Sequence, residues 1–165
     1  MSAARRNTSR HAALICRIAS IALALAACSA HAQFQFAPQI TAVAPGQHSQ
    51  EITISLLPPP NTAGAQISMA MNLDRFGWVQ ALPSSTQAGM SKRCIVVGGV
   101  VHAEVVSGTT FDTMYAIPVC RVRVRPHQAT PLGNYYLSYL NGFLMRTDGS
   151  SQSASANTVR VIVDD

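Results

Sequence analysis

Apolar and charged residues alternate strictly between residues 118 and 126, where the sequence is Pro-Val-Cys-Arg-Val-Arg-Val-Arg-Pro. In an extended strand, neighbouring side chains point to opposite faces, so Cys120, Val122 and Val124 share one face. The other face carries Arg121, Arg123 and Arg125. A helix would scatter these arginines around its cylinder. The pattern therefore predicts a half-buried antiparallel strand, which we extend back to residue 113.

Further short alternating runs occur along the chain and predict eight more strands. They cover residues 39–43, 51–57, 65–73, 78–82, 93–97, 100–106, 133–141 and 158–163. The Gly98-Gly99 pair separates two of these runs by the spacing of a tight hairpin. We expect residues 33–38 to be a lead-in and residues 149–157 to be a flexible, serine-rich connection. About nine strands without an amphipathic helix predict an all-β fold, an antiparallel β-sandwich in one domain over residues 33–165.

The N-terminal segment has the three-part pattern of a secretory signal peptide. Residues 1–17 contain four arginines and no acidic residue, and the apolar run that follows is too short to span a bilayer. Ala30-His31-Ala32 predicts cleavage before Gln33, which gives a signal peptide over residues 1–32. Leu25-Ala26-Ala27-Cys28 resembles a lipobox, and the alternative is a lipoprotein signal over residues 1–27 with lipidation at Cys28. We favour the first, and predict a periplasmic or extracellular protein instead of an outer-membrane lipoprotein.

Export determines how the four cysteines are interpreted. Cys16 and Cys28 fall within the predicted signal region, so Cys94 and Cys120 remain as a pair in the mature chain. Exported proteins fold in oxidising compartments, where an even number of cysteines favours disulfides. We therefore predict a disulfide bond between Cys94 and Cys120.

The charge of the whole chain is +5, but it is unevenly distributed. Four of the twelve basic residues lie in the first seventeen positions. From residue 33 onward the sequence has eight basic and seven acidic residues, so the predicted mature chain is close to neutral. Nucleic-acid-binding domains usually carry a strong basic excess, and we predict no nucleic-acid partner.

Several motifs occur in an order that resembles the cohesin and carbohydrate-binding-module superfamily of β-sandwich domains. The chain has a Pro-Gly turn, an apolar strand that ends in an Asn/Asp pair, a hairpin with a cysteine, a second cysteine strand, and a small-residue, Gly and aromatic entry to the penultimate strand. These are Ala44-Pro45-Gly46, Met71-Asn72-Leu73-Asp74, the Cys94 hairpin, the strand from Cys120 to Val124, and residues 129–135. The resemblance implies a nine-stranded jelly-roll sandwich with a binding role instead of a catalytic one.

Motifs for catalysis and metal binding are weak. His102-Ala103-Glu104 followed by Pro118-Val119-Cys120 resembles a zinc-deaminase signature, but it lacks the second cysteine ligand. The chain has no Gly-x-Ser-x-Gly string, and the carboxylates Asp74, Glu104 and Asp112 are isolated in the sequence. We therefore predict no catalytic residues, no metal and no cofactor.

Two groups of side chains are candidates for ligand binding. The row of Arg121, Arg123 and Arg125, extended by Lys92 and Arg93, could contact a polyanion. A solvated sheet face that discourages edge-to-edge pairing is the simpler interpretation of the same row. The second group consists of the aromatic residues Trp78, Tyr136 and Phe143. Their rings stack on sugar rings if they are exposed and fill the core if they are not.

These observations predict an exported binding module whose ligand is a polysaccharide or a partner protein. The alternative is a structural subunit of an envelope or surface assembly. A hydrolase is kept as a third hypothesis, because the sequence does not place carboxylates in space. An aromatic strip or arginine row lying flat on one sheet would favour the first hypothesis, and a long apolar edge would favour the second.

Overall fold

The computed structural model describes residues 33–111 and 115–165. The predicted signal peptide, the alternative lipidation site at Cys28, the carboxylate Asp112 and the start of the strand predicted from residue 113 lie outside the described residues. Within the described ranges, no helix is long and apolar enough to cross a membrane.

The described residues form twelve strands, and the prediction of an all-β sandwich is confirmed. The strands are β1 (Gln33–Ala37), β2 (Ile40–Val43), β3 (Ile52–Leu57), β4 (Thr62–Ala70), β5 (Phe76–Pro83), β6 (Met90–Val97), β7 (Val100–Ser107), β8 (Ile117–Pro126), β9 (Gly133–Arg146), β10 (Ser151–Ser153), β11 (Ser155–Ala156) and β12 (Val159–Val163). The nine predicted strands all have counterparts. β1, β10 and β11 were not predicted.

The strands form two sheets. A five-stranded sheet has the order β11-β1-β3-β8-β5, and a seven-stranded sheet has the order β2-β12-β9-β4-β7-β6, with β10 added to β9. Most pairings are antiparallel, as predicted. Two are parallel: β1 pairs with β11, and β2 pairs with β12. The first two described strands thus lie beside the last two, one pair in each sheet.

Apolar side chains at alternate positions of the strands fill the space between the two sheets. On β3, Ile52, Ile54 and Leu56 are fully buried, while Thr53 and Ser55 are only partly covered. Strand β8 behaves as predicted, because its valines are buried and its arginines lie on the outer face. Each fully buried branched side chain contributes about 1.5–3 kcal/mol relative to an exposed one.

The predicted disulfide is present between Cys94 on β6 and Cys120 on β8. Their Cα atoms are 5.6 Å apart, and both residues are buried. Since β6 belongs to the seven-stranded sheet and β8 to the five-stranded sheet, this bond links the two layers of the sandwich.

The Gly98-Gly99 hairpin is also confirmed. Val97 pairs with Val100 across it, and the two glycines have φ values of 57° and 79°. A side chain at Gly99 would collide with Leu73, which packs directly over the turn. Gly99 is therefore required both by its backbone conformation and by the close approach of Leu73.

Other boundaries differ from the prediction. Residues 33–38 are not a simple lead-in, because the Gln-Phe-Gln-Phe alternation of β1 buries Phe34 and Phe36 in the core. Residues 149–157 are not only a flexible connection, because they contain β10 and β11. Strand β4 ends at Ala70 and not at residue 73, and Leu73, beyond its end, is 48% exposed.

Candidate functional site

The structure separates the candidate binding residues into three environments. Arg121, Arg123 and Arg125 lie on the outer face of the five-stranded sheet, which we call the arginine face. Tyr136 and Phe143 lie on the outer face of the seven-stranded sheet, on β9. The aromatic and arginine candidates therefore do not form one surface.

Trp78 belongs to neither outer face. It pairs in register with the buried Val124 and packs against the core, and its Nε1 donates a hydrogen bond to the Gly99 carbonyl at 2.8 Å. Of the two alternatives for Trp78, stacking on a sugar and packing in the core, the contacts of the indole match the second. Its indole joins β5 to the β6–β7 turn, so its contacts are structural.

The arginine face has one acidic neighbour in the described part of the chain. Glu51 Oε1 lies 3.6 Å from Arg121 Nη1, and Gln80 Nε2 donates to Glu51 Oε2 at 3.3 Å. The Nε atoms of Arg121 and Arg123 are buried and have no hydrogen-bond partner among the described residues. The arginine stems thus lie against the sheet.

The arginine row does not extend to Lys92 and Arg93, because these residues lie on β6 in the other sheet. Lys92 Nζ donates to the Ser85 carbonyl at 3.0 Å, and partial burial lowers the pKa of this ammonium group. Lys92 instead occupies the edge strand of the seven-stranded sheet.

Strand β9 carries a line of exposed apolar side chains that we call the β9 strip. It consists of Tyr136, Leu140, Phe143 and Met145, which are 56%, 51%, 40% and 42% exposed. Phe143 stands opposite Gln66 of β4. A Cβ at Gly64 would lie 2.8 Å from Met145 Cε, so this glycine lets the methionine side chain lie close across β4.

Polar groups flank the β9 strip on the neighbouring strands. Ser68 Oγ on β4 lies 3.0 Å from His102 Nδ1 on β7. Glu104 pairs with Gln66 on one side and Arg93 on the other. His102 and Glu104 alternate onto the same face of β7, and the partner of His102 on β4 is Ser68.

Leu140, Met145 and Ser68 were missed in the sequence, although a signal for Met145 exists. Beyond residue 141, where the predicted strand ended, Phe143 and Met145 still alternate with the buried Leu144. Leu140 lies where the register between β4 and β9 shifts, and such a bulge is not visible in the alternation.

No family model and no curated protein matches this chain. Several solved structures are similar to it in fold. The third ScaB cohesin of R. flavefaciens, solved with a group 1 dockerin, has a TM-score of 0.63 at 16% identity, covering 84% of this chain and 98% of that one. A non-cellulosomal cohesin from the archaeon Archaeoglobus fulgidus has a TM-score of 0.61 at 11% identity, covering 82% and 93%. The chain has a cohesin-like β-sandwich fold. A cohesin module from a Clostridium perfringens family 33 glycoside hydrolase gives a TM-score of 0.61 at 13% identity, covering 81% and 96%.

The chemistry available on this cohesin-like sandwich is limited. Ser68 and His102 are within hydrogen-bonding distance, but a serine nucleophile also needs a group that orients the histidine and donors for the oxyanion. Ser68 is 4% exposed, and Glu104, two residues from His102 on the same face, stands opposite Gln66 and Arg93. The described residues contain no group of three or more potential metal ligands among His, Cys, Asp and Glu. Asp74 lies in the turn after β4, whereas Glu104 lies within β7.

Proposed function

We propose that this protein is an exported, non-catalytic binding module that holds a partner protein against the β9 strip. The observation that carries the proposal is the line of four exposed apolar side chains on one strand. Contiguous exposed apolar surface on a folded domain marks interaction sites. Aromatic residues and methionine are enriched at protein interfaces, and both types occur here.

The similarity to cohesins supports a protein as the ligand class. The R. flavefaciens cohesin was solved in complex with a dockerin. At 16% identity the likeness concerns the fold, so the partner of this chain need not be a dockerin. A partner that presents an apolar centre with a polar rim would match the β9 strip and its neighbours Ser68, Gln66 and Glu104.

Removing the centre of the strip should weaken partner binding by about 100-fold, because Phe143 and Met145 would lose the burial that the complex gives them. The double variant Phe143→Ala with Met145→Ala tests this. Leu57→Ala with Leu82→Ala is the matched control, since these leucines are 37% and 47% exposed and lie in the five-stranded sheet.

The partner for this test is first captured from an envelope fraction, identified by mass spectrometry and purified, and its Kd is then measured by calorimetry. We expect the control variant to bind like wild type. Unchanged affinity of the β9 variant, or an equal loss in the control, would contradict the proposed site.

The alternative function, a structural subunit of a surface assembly, is favoured by a different observation. Strand β6 is an edge strand, and Val96 and Val97 on it are 41% and 58% exposed. Lys92 and Arg93 lie on the same edge, and charges there discourage strand addition. Sedimentation of the purified protein distinguishes the two functions, because a subunit self-associates through β6 and a binding module does not.

The proposed export also predicts which residue is the first of the mature protein. Gln33 is the first residue of β1, so cleavage before it removes the signal and keeps all strands of the described residues. N-terminal sequencing and intact mass of the exported protein should therefore show a chain that begins at residue 33. A lipid-modified chain that begins at Cys28 would instead identify a lipoprotein.

A further inference from the structure

The arginine face differs from the β9 strip in composition. Positions around the arginines include several amide and hydroxyl side chains, together with the apolar residues Ala37, Leu57, Val79, Leu82 and Pro118. The polar positions are Gln33 and Gln35 on β1, Thr53 and Ser55 on β3, Gln80 on β5 and Ser155 on β11. Among the described residues of this face, three arginines stand against one carboxylate, Glu51, so the face has a net charge of about +2 in a nearly neutral domain.

The arginines are arranged as a regular row. Residues two apart on a strand are separated by about 6.6–6.8 Å, so the three guanidinium groups have anchor points at that interval. The Nε atoms of Arg121 and Arg123 are already buried against the sheet without a partner. These two guanidinium groups have therefore already lost part of their hydration in the free protein, which lowers the desolvation cost of binding a ligand. The terminal nitrogens can still form paired hydrogen bonds to carboxylates, the geometry that guanidinium favours.

A cavity of about 630 Å³ lies near the Arg121 end of this row. Its lining combines polar side chains that offer donors and acceptors with four apolar residues. The polar ones are Gln33, Gln35, Gln39, Ser55 and Asn157, and the apolar ones are Phe36, Ala37, Pro38 and Ala116. Thr53 pairs with Arg121, and Ser55 is two residues further along β3. Strand spacing then places the Ser55 backbone about 8 Å from that of Arg121. The cavity and the arginine row are therefore adjacent parts of one surface.

We propose that the arginine face binds an acidic polysaccharide of the polyuronate type. The amide cavity holds a sugar residue through its hydroxyl groups, and the arginines pair with carboxylates further along the polymer. This site is distinct from the proposed protein-binding strip and lies on the opposite sheet. It gives the domain two independent ligands.

Other partners match this face less well. A protein interface usually has an apolar centre, but the exposed Val79 and Leu82 lie on the edge strand β5 and Leu57 ends β3, so the middle of this face carries the arginines. A membrane-binding surface combines basic residues with aromatic or aliphatic side chains that insert. Among the described cross-strand partners of the row, Leu82 opposite Arg121 is the one large apolar side chain, and Thr53 and Gln80 are polar. Nucleic-acid binding normally requires many phosphate contacts, whereas this face has three cations.

Binding to immobilised polygalacturonate at 20 mM and 300 mM NaCl tests the proposal, with neutral dextran as the reference polymer. We expect binding at low salt that weakens at high salt, and no binding to dextran. The triple variant Arg121→Ser, Arg123→Ser, Arg125→Ser should lose at least about tenfold in affinity, since it removes every guanidinium of the row. A melting curve for each variant verifies that it is folded.

Two further variants make the test specific. Glu51→Gln removes the described carboxylate on this face and should strengthen polygalacturonate binding, a gain that misfolding cannot produce. Arg93→Ser removes the same charge as Arg123→Ser but from the other sheet. We expect Arg123→Ser to weaken binding and Arg93→Ser to leave it unchanged. A Gln35→Ala variant should also weaken it through the cavity.

Three results would overturn the proposal. They are no retention on polygalacturonate, retention that the triple variant keeps, and equal binding to phosphatidylglycerol vesicles or polyglutamate. The last result would assign the row to membranes or acidic proteins by charge alone. Because the β9 strip is unchanged in all these variants, partner-protein binding is measured in parallel and succeeds or fails independently.

Discussion

Replacing Cys94 and Cys120 together with alanine should lower the free energy of unfolding by about 3.5 kcal/mol. The disulfide closes a loop with a sequence separation of 26 residues, and the chain-entropy relation gives that value for a loop of this length. The bond also joins an edge strand, β6, to β8, an interior strand of the other sheet. Its loss should therefore weaken the docking of β6 most. Alanine avoids the cost of burying a serine hydroxyl at two buried positions.

Urea unfolding of the wild-type and double-alanine proteins, each with and without reductant, measures this effect. The wild-type protein should lose about the same stability on reduction that the substitution removes, and the variant should not respond to reductant. If reduction left the wild-type midpoint unchanged while Ellman's reagent detected two thiols, the bond would contribute no stability. Two free thiols before reduction would contradict the bond itself.

Local alternation was a reliable guide to the strands. The Cys-Arg-Val-Arg-Val order of β8 determines which side chains are buried, because extended backbone turns neighbouring residues to opposite faces. The Gly98-Gly99 turn was equally predictable, since both glycines adopt positive φ in a two-residue hairpin. These features depend on a few neighbouring residues, so a single sequence contains the information that determines them.

The sheet to which each strand belongs was not predictable in the same way. Phe143 and Arg123 both alternate with buried residues, but one lies on β9 and the other on β8, in different sheets. That assignment depends on pairings between distant strands, such as β2 with β12. Trp78 shows the same limit: its position next to a bulge in β5 turns it toward the core, where it reaches the Gly99 carbonyl.

The candidate arginines and the candidate aromatic residues on β9 lie on different sheets, and this changes how many ligands the domain is expected to bind. A single mixed surface would make one ligand contact both arginines and aromatics. Opposite sheets instead allow Phe143 to contact a protein while Arg123 contacts a polyanion. An exported module with this arrangement could hold a partner protein at an acidic polysaccharide, which neither binding site achieves alone.

The largest expected loss from a single substitution is at Phe76. This residue is 1% exposed on β5, and its ring meets Tyr135 of β9 edge-to-face with centroids 5.0 Å apart. The pair therefore connects the two sheets. Phe76→Ala removes a buried ring and leaves a cavity, which costs about 3–5 kcal/mol in protein cores. The loss of the aromatic pair is included in that value.

Phe143→Ala is the matched control, because the same atoms are removed from a ring that is 40% exposed on the β9 strip. Its stability cost should stay below about 1 kcal/mol, as is usual for surface positions. Urea unfolding and partner affinity together distinguish the two phenylalanines. We expect Phe76→Ala to destabilise the fold while the remaining folded protein binds normally, and Phe143→Ala to weaken partner binding in a stable protein. Equal stability losses would mean that Phe143 belongs to the core, and the strip would then lose its central residue as a binding group.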